Sequence, residues 1–262
     1  MSVFDRSFRY GDGLFETMLA VNGNFFRWEQ HWARLMNSAR TFGFAIPWAP
    51  DELQKAAREL LEQNSLRGAL LRLQISRGSG PRGYAPSGNE SPIIVMTAHA
   101  APSRPAPAWK LATAPFRVAA ADSTLGHKTA SRLLHVLSAA YAAAHGAEEA
   151  LLVNTNGDVC EGASSNVFWI RDGVVGTAPL QPSVLPGVTR AAVLDLTREL
   201  GVCCEETLLP VEELKSCEGA FLTLTSRGIV EVGSLDGTPL RRSPITMHLQ
   251  EEFEKLVQRE CA

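Results

Sequence analysis

Several things are scarce in this chain of 262 residues. Cysteine occurs five times, at 160, 203, 204, 217 and 261. The number is odd and no pair has C-x-x-C spacing, so neither a disulfide framework nor a zinc site is expected. A reducing, cytoplasmic location fits that usage. Charge of one sign is not in excess: 25 Lys and Arg stand against 28 Asp and Glu. A net charge of -3 implies no bulk attraction to nucleic acid or to an anionic membrane. No apolar run approaches the length of a membrane span. The first residues lack a basic segment followed by an apolar one, so no secretory signal is expected. There is no G-x-G-x-x-G after a strand, no Walker-type loop and no H-E-x-x-H. Asp12-Gly13 lacks the remaining ligands of a calcium loop, so no metal is expected.

What is present is an ordinary globular composition, 45% hydrophobic and 20% charged, enough for one large or two medium domains. Residues 8–17 read as a Gly-rich turn entering an apolar strand, and Asn22-Gly23 reads as a hairpin turn. Residues 28–42 place Trp28, Trp32, Leu35, Met36, Ala39 and Phe42 at steps of three and four, which predicts an amphipathic helix. A second helix is expected over 51–63 behind Pro50, with Asp51 and Glu52 at its N-terminal end. Leu71, Leu73 and Ile75 alternate with polar residues, as a half-buried strand does. That strand leads into a loop rich in Gly that carries Arg77 and Arg82, followed by a strand over 92–97. The Pro- and Ala-rich run 101–108 is the linker-like stretch of the middle chain. It divides the sequence into a domain over 1–103, a linker at 104–108 and a domain over 109–262. In the second domain, strands are expected near 110–116, 150–153, 167–170, 220–225 and 229–232. Helices are expected over 129–144, 188–200 and 247–257. The fold class is mixed α/β.

Some residues could carry chemistry. Glu161 is the one acid in the small-residue stretch Cys160-Glu161-Gly162-Ala163-Ser164-Ser165-Asn166. A buried carboxylate there needs a charged or protonated partner; the alternative is a surface Glu at a strand end. Lys128 sits before the expected 129–144 helix, where a cation opposes the helix dipole. A lysine held in a cleft has a lowered pKa and serves as nucleophile and base; the alternative is a solvated lysine. Leu185-Pro186-Gly187-Val188-Thr189-Arg190 opens a helix whose free N–H groups suit a phosphate, or forms a plain cap. Thr223, Thr225 and Ser226 end a strand and could complete that seat, or serve ordinary turn chemistry. Arg34 could reach the same phosphate bidentately, or be a solvated helix arginine.

In order along the chain, Y-G-D-G-L-F-E-T, E-Q-H-W-A-R-L, I-S-R-G-S-G-P-R-G-Y, G-H-K-T, C-E-G-A-S-S-N-V-F, L-P-G-V-T-R and T-L-T-S-R-G-I-V-E-V resemble the class IV aminotransferases. That family comprises pyridoxal-phosphate enzymes of fold type IV, including branched-chain and D-amino-acid aminotransferases and 4-amino-4-deoxychorismate lyase. The resemblance implies a two-domain α/β fold of the D-amino-acid aminotransferase kind, a cofactor in the interdomain cleft, and a homodimer. It implies that Lys128 carries the cofactor and that Glu161 pairs with the pyridine nitrogen. It further implies that Arg34, Val188, Thr189 and Thr225 form the phosphate cup and that Leu185 packs on the ring. Such a cofactor needs these three parts: an amine, an acid beside its ring nitrogen and an anion seat. The loop with Arg82 and Tyr84 most resembles the lyase branch. D-amino-acid aminotransferases place a histidine at the Tyr84 position and a tyrosine at the Phe15 position, so most of that carboxylate trap is replaced here. The expectation is a lyase that converts 4-amino-4-deoxychorismate to 4-aminobenzoate and pyruvate, with Phe15, Arg82 and Tyr84 against the substrate. The rival readings are an aminotransferase for branched-chain or D-amino acids with a 2-oxo acid acceptor, and a non-catalytic ligand-binding protein on the same fold.

Overall fold

Asp5 and Gly11 bracket the first element of the computed structural model, which describes residues 1–180 and 183–262. Asp5 caps α1 (Arg6–Tyr10) by accepting from the Ser7 and Phe8 N–H groups, and Gly11 ends it in the left-handed region at φ 69°. The chain then enters β1 (Gly13–Val21), reverses at Asn22 and Gly23 (φ 53° and 84°), and returns as β2 (Asn24–Phe25). The two amphipathic stretches form α2 (Trp28–Phe42), closed by Gly43, and α3 (Pro50–Gln63). Strands β3 (Ala69–Ser76) and β4 (Ile93–Ala100) complete an antiparallel sheet of order β2-β1-β3-β4. Period-two alternation decides what this sheet buries. Leu14, Met18 and Ala20 of β1 and Leu71, Leu73 and Ile75 of β3 share one core with Trp28, Leu35 and Ala39 of α2 and Leu53, Ala57 and Leu61 of α3.

Beyond the irregular run 101–108, β5 (Trp109–Val118) opens a second sheet. It is followed by α4 (Leu133–Ala144), β6 (Glu149–Asn154), β7 (Val159–Gly162), β8 (Asn166–Arg171) and β9 (Val174–Thr177). Then come α5 (Val188–Glu199), β10 (Cys204–Glu206), α6 (Val211–Leu214), β11 (Gly219–Leu224), β12 (Gly228–Leu235), β13 (Thr238–Pro239) and α7 (Pro244–Glu260). The strand order is β10-β9-β8-β11-β12-β5-β6-β7, and β7 also pairs with β8. Six strands, β8, β11, β12, β5, β6 and β7, therefore close on themselves. The pair Glu161–Asn166 makes the closure. Leu151, Val153, Val167, Trp169, Leu222 and Val230 belong to one buried core of these strands.

Two expectations change. Residues 129–132 are not helical. Leu14 and Thr129 form a β-bridge, the Phe15 N–H donates to the Lys128 carbonyl (2.9 Å), and the Ala130 N–H donates to the Gly13 carbonyl (2.8 Å). Residues in this extended bridge pairing are not in helical geometry, and α4 begins at Leu133. The division of the chain also differs from a single cut. One unit comprises Met1–Ala101, His127–Arg132 and Val257–Ala262; the other comprises Pro102–Gly126 and Leu133–Leu256. The strap with Lys128 and the last six residues thus belong with the N-terminal sheet. Among the described residues no helix is long and apolar enough to cross a membrane.

Candidate active site

The residues expected to carry chemistry fall on both units: Phe15, Arg34, Arg82, Tyr84 and Lys128 on the first, and Glu161, Leu185, Val188, Thr189 and Thr225 on the second.

On the first unit, β1 presents alternate residues to opposite faces. Glu16 shares the face of Leu14 and Met18, directed at α2, and is fully buried. A carboxylate there requires cations. Arg34 supplies a fork, Nε to Oε1 at 2.8 Å and Nη2 to Oε2 at 2.6 Å, and His31 Nδ1 lies 2.8 Å from Oε2. Burial pushes the Glu16 carboxyl up, but Arg34 and His31 outweigh it and hold the group at about 2. Burial pushes the His31 imidazole down, against the pull of Glu16. Ser38, one turn beyond Arg34 on α2, makes a 2.9 Å hydrogen bond with His127 Nδ1, and Phe42 meets the His127 ring edge-on. The residue before Lys128 is anchored to α2 by these two contacts.

Phe15 points to the other face of β1. Its ring centroid lies 4.6 Å from Lys128 Nζ, 3.9 Å from the Arg72 guanidinium carbon and 5.7 Å from that of Arg132. Phe15 and Lys128 are therefore brought together, within a cluster of three cations. Arg72 makes its hydrogen bonds to the neutral Gln74 side chain, and burial pushes its pKa down. Arg82 and Tyr84 lie on an exposed loop. Arg77, by contrast, is used structurally. It bonds Asp12 and the Phe42 and Gly43 carbonyls and stacks on Phe44.

On the second unit Glu161 is 4% exposed, within β7 rather than at a loop junction. Its Oε2 accepts from the Leu185 N–H (2.9 Å), and His135 Nε2 lies 3.7 Å from Oε1. Asn166 donates to the Leu185 carbonyl (2.9 Å). Its Oδ1 would lie 2.0 Å from a Cβ at position 187, so any side chain at the N-cap of α5 would displace Asn166. That helix carries no side-chain cap, and Val188 and Thr189 open it. Thr225 follows β11 in a turn, and two residues earlier the buried Thr223 hydroxyl has no hydrogen-bond partner among the described residues. Glu149, 3% exposed, accepts from Ser164, Ser165 and the Ala150 N–H and so orders the turn between Glu161 and Asn166. Burial pushes its pKa up.

The family model described as amino-transferase class IV matches residues 13–235. The chain belongs to the class IV aminotransferase family. A Methanocaldococcus jannaschii protein provisionally named branched-chain-amino-acid aminotransferase is 33% identical over 261 residues, 98% of this chain and 91% of that protein. A Legionella pneumophila structure provisionally named 4-amino-4-deoxychorismate lyase superposes with a TM-score of 0.91 at 25% identity, covering 99% of this chain and 95% of the other. The branched-chain aminotransferase of the archaeon Thermoproteus uzoniensis, solved with norvaline, gives a TM-score of 0.92 at 28% identity over 99% and 90% of the two chains. This class IV family member is thus a mixed α/β enzyme dependent on pyridoxal phosphate, an aminotransferase or a lyase.

The donor set of the second unit fits that cofactor. The uncapped start of α5 offers backbone N–H groups to a phosphate, and the Thr223 hydroxyl is a buried donor still without an acceptor. Glu161 offers a buried carboxylate whose orientation is held by a backbone N–H. Glu16, His31, Ser38 and Glu149 were missed from the sequence. The signal for the first three was present: His31, Arg34 and Ser38 recur at steps of three and four, and Glu16 occupies the core face of its strand.

Proposed function

We propose that this class IV enzyme is a lyase that converts 4-amino-4-deoxychorismate to 4-aminobenzoate and pyruvate. The observation that carries the reading is the group of cations around Phe15, with Arg72 and Arg132 beside the same ring as Lys128. A substrate with two carboxylates suits that surrounding charge better than an aliphatic amino acid does. Phe15 and Tyr84, in place of the tyrosine and histidine of the D-amino-acid enzymes, support the same choice.

Pyridoxal phosphate, when bound, supplies an electron sink for the bond being broken. Lys128 would hold the cofactor through Nζ and, when that nitrogen is free, would take the proton from the amine-bearing carbon at the same atom. Glu161 would set its carboxyl group beside the ring nitrogen and favour that nitrogen's protonated form. Leu185 holds the Glu161 carboxylate in place through its N–H and would pack on the cofactor ring. The Val188 and Thr189 backbone groups, the Thr225 side chain and Arg34 would hold the phosphate, with Glu16 and His31 fixing Arg34. Arg82 and Tyr84 bind and orient a substrate carboxylate. The electron pair of the C–H bond broken by Lys128 would expel the enolpyruvyl oxygen as its C–O bond breaks, the released enolpyruvate would take up a proton to become pyruvate, and the substrate carbocycle would be left aromatic. The family resemblance implies a homodimer, and the cysteine usage fits a reducing cytoplasm.

A second reading, transamination, draws on the 33% identity with the M. jannaschii protein and on the likeness to the T. uzoniensis aminotransferase. The two readings separate in one assay. The lyase releases pyruvate and aminobenzoate from aminodeoxychorismate over many turnovers with no keto acid added. Fast, keto-acid-reversible bleaching of the visible band by alanine or a branched-chain amino acid, with no pyruvate from aminodeoxychorismate, would overturn the lyase reading.

A further inference from the structure

The loop that carries Arg82 and Tyr84 has neither helix nor strand, and all three residues 82–84 are exposed. Its conformation must be imposed from outside, and α1 imposes it. The Arg6 side chain is 2% exposed, and its guanidinium makes three bonds. Nε donates to Asp12 Oδ2 at 2.7 Å, Nη1 to the Gly83 carbonyl at 3.1 Å and Nη2 to the Tyr84 carbonyl at 2.5 Å. Four residues on, across one turn of α1, the Tyr10 hydroxyl accepts from the Gly83 N–H at 3.1 Å. The Tyr10 and Tyr84 rings meet edge-on at 5.5 Å. Both sides of the Gly83 residue, N–H and carbonyl, are thus taken by one face of α1. Gly83 itself sits at φ +123°, a conformation that side chains rarely adopt. The base of the same loop is fixed as well, because the Arg6 N–H donates to the Gly78 carbonyl (2.8 Å).

We propose that Arg6 is a positioning residue for substrate: with Tyr10 it sets the backbone on the C-terminal side of Arg82 and so fixes where that guanidinium is presented. The inference rests on the reading above that Arg82 binds a substrate carboxylate. Only a planar fork can bond one carboxylate and two successive carbonyls together. Lysine keeps the charge but cannot make all three contacts. The substitution does not strand Asp12, because Arg77 Nε also donates to Asp12 Oδ2 at 2.9 Å.

The test uses holoenzyme with Arg6→Lys, Arg82→Ala and both together, on the substrate identified by the pyruvate assay. KM and kcat are measured for each, along with amide exchange over residues 79–86. Arg6→Lys should speed exchange in that segment and raise KM roughly tenfold, the scale of a weakened charge-assisted hydrogen bond. The visible cofactor band should stay unchanged and kcat should stay close to wild type. In the Arg82→Ala background, Arg6→Lys should add nothing to KM, because it acts through Arg82. Additive effects in the double variant would overturn the inference, as would unchanged exchange or an unchanged KM in Arg6→Lys. An unchanged KM in Arg82→Ala would instead remove the carboxylate reading, and this inference with it.

Discussion

Glu16→Gln tests the buried Glu16–Arg34–His31 cluster of the first unit most directly. The wild-type carboxyl stands at about 2 against an ordinary 4.5. At about 1.36 kcal/mol per pKa unit, that displacement corresponds to about 3 kcal/mol of stability at neutral pH. Breaking one partner of a buried pair costs about 3–5 kcal/mol, the same scale. The sign follows from the depressed pKa. The stabilisation is complete above pH 4.5, declines as pH falls, and is lost on passing through about 2. Urea unfolding of apoprotein at pH 7 should therefore show the variant about 3 kcal/mol less stable than wild type. The deficit should shrink to roughly half or less near pH 3, because unfolded wild type then takes up a proton that the variant has no site for. Phosphate affinity, read from inorganic phosphate titration, should fall in parallel as the Arg34 fork loosens. A deficit below about 1 kcal/mol at pH 7, in the range of exposed pairs, would refute the reasoning. So would a deficit equal at pH 3 and pH 7.

Borohydride reduction of holoenzyme should fix the cofactor on Lys128, located by peptide mass mapping; a label on Lys110 or any other lysine would remove Lys128 from its role. Glu161→Gln should keep cofactor affinity within a few-fold and slow proton removal at least about a hundredfold, near 2.7 kcal/mol of barrier. Wild-type turnover in that variant would exclude the carboxylate from the reaction. Gly187→Ala should push Asn166 off the Leu185 carbonyl, since the new methyl would lie 2.0 Å from Asn166 Oδ1. Cofactor affinity, followed by absorbance titration, should drop by at least about tenfold, and unchanged affinity would show that the start of α5 is not the phosphate seat.

Periodic elements were legible in the sequence because packing and local preference agree in them. The six apolar residues spaced through α2, Pro50 at the start of α3 and the alternation along β3 each specify one answer. Short and borrowed structure was not. At five residues α1 is too brief to show a period, and its signal lies in the caps Asp5 and Gly11. Residues 129–132 look like the start of a helix because Ala, Ser and Leu follow. The Lys128 carbonyl and the Ala130 N–H are instead taken by β1, a partner more than a hundred residues away. Separations of 34 to 65 residues likewise hid the fate of Arg77, whose guanidinium is occupied by Asp12 and two carbonyls. Glu161 stood out through its neighbours, but nothing nearby in sequence announced that Leu185 would hold it.

The strap His127–Arg132 belongs to the N-terminal unit, yet the chain on both sides of it belongs to the other. The chain therefore passes between the two units more than once, and its halves are not separable modules. A gene cut at the Pro-rich run would send Lys128 away with the C-terminal fragment. The strand that hydrogen-bonds it, and the Ser38 and Phe42 side chains that anchor His127, would stay with the other fragment. Recombination between family members at that linker would likewise pair one parent's β1 with another parent's strap. An exchange that respects the architecture must carry residues 127–132 and 257–262 together with residues 1–101.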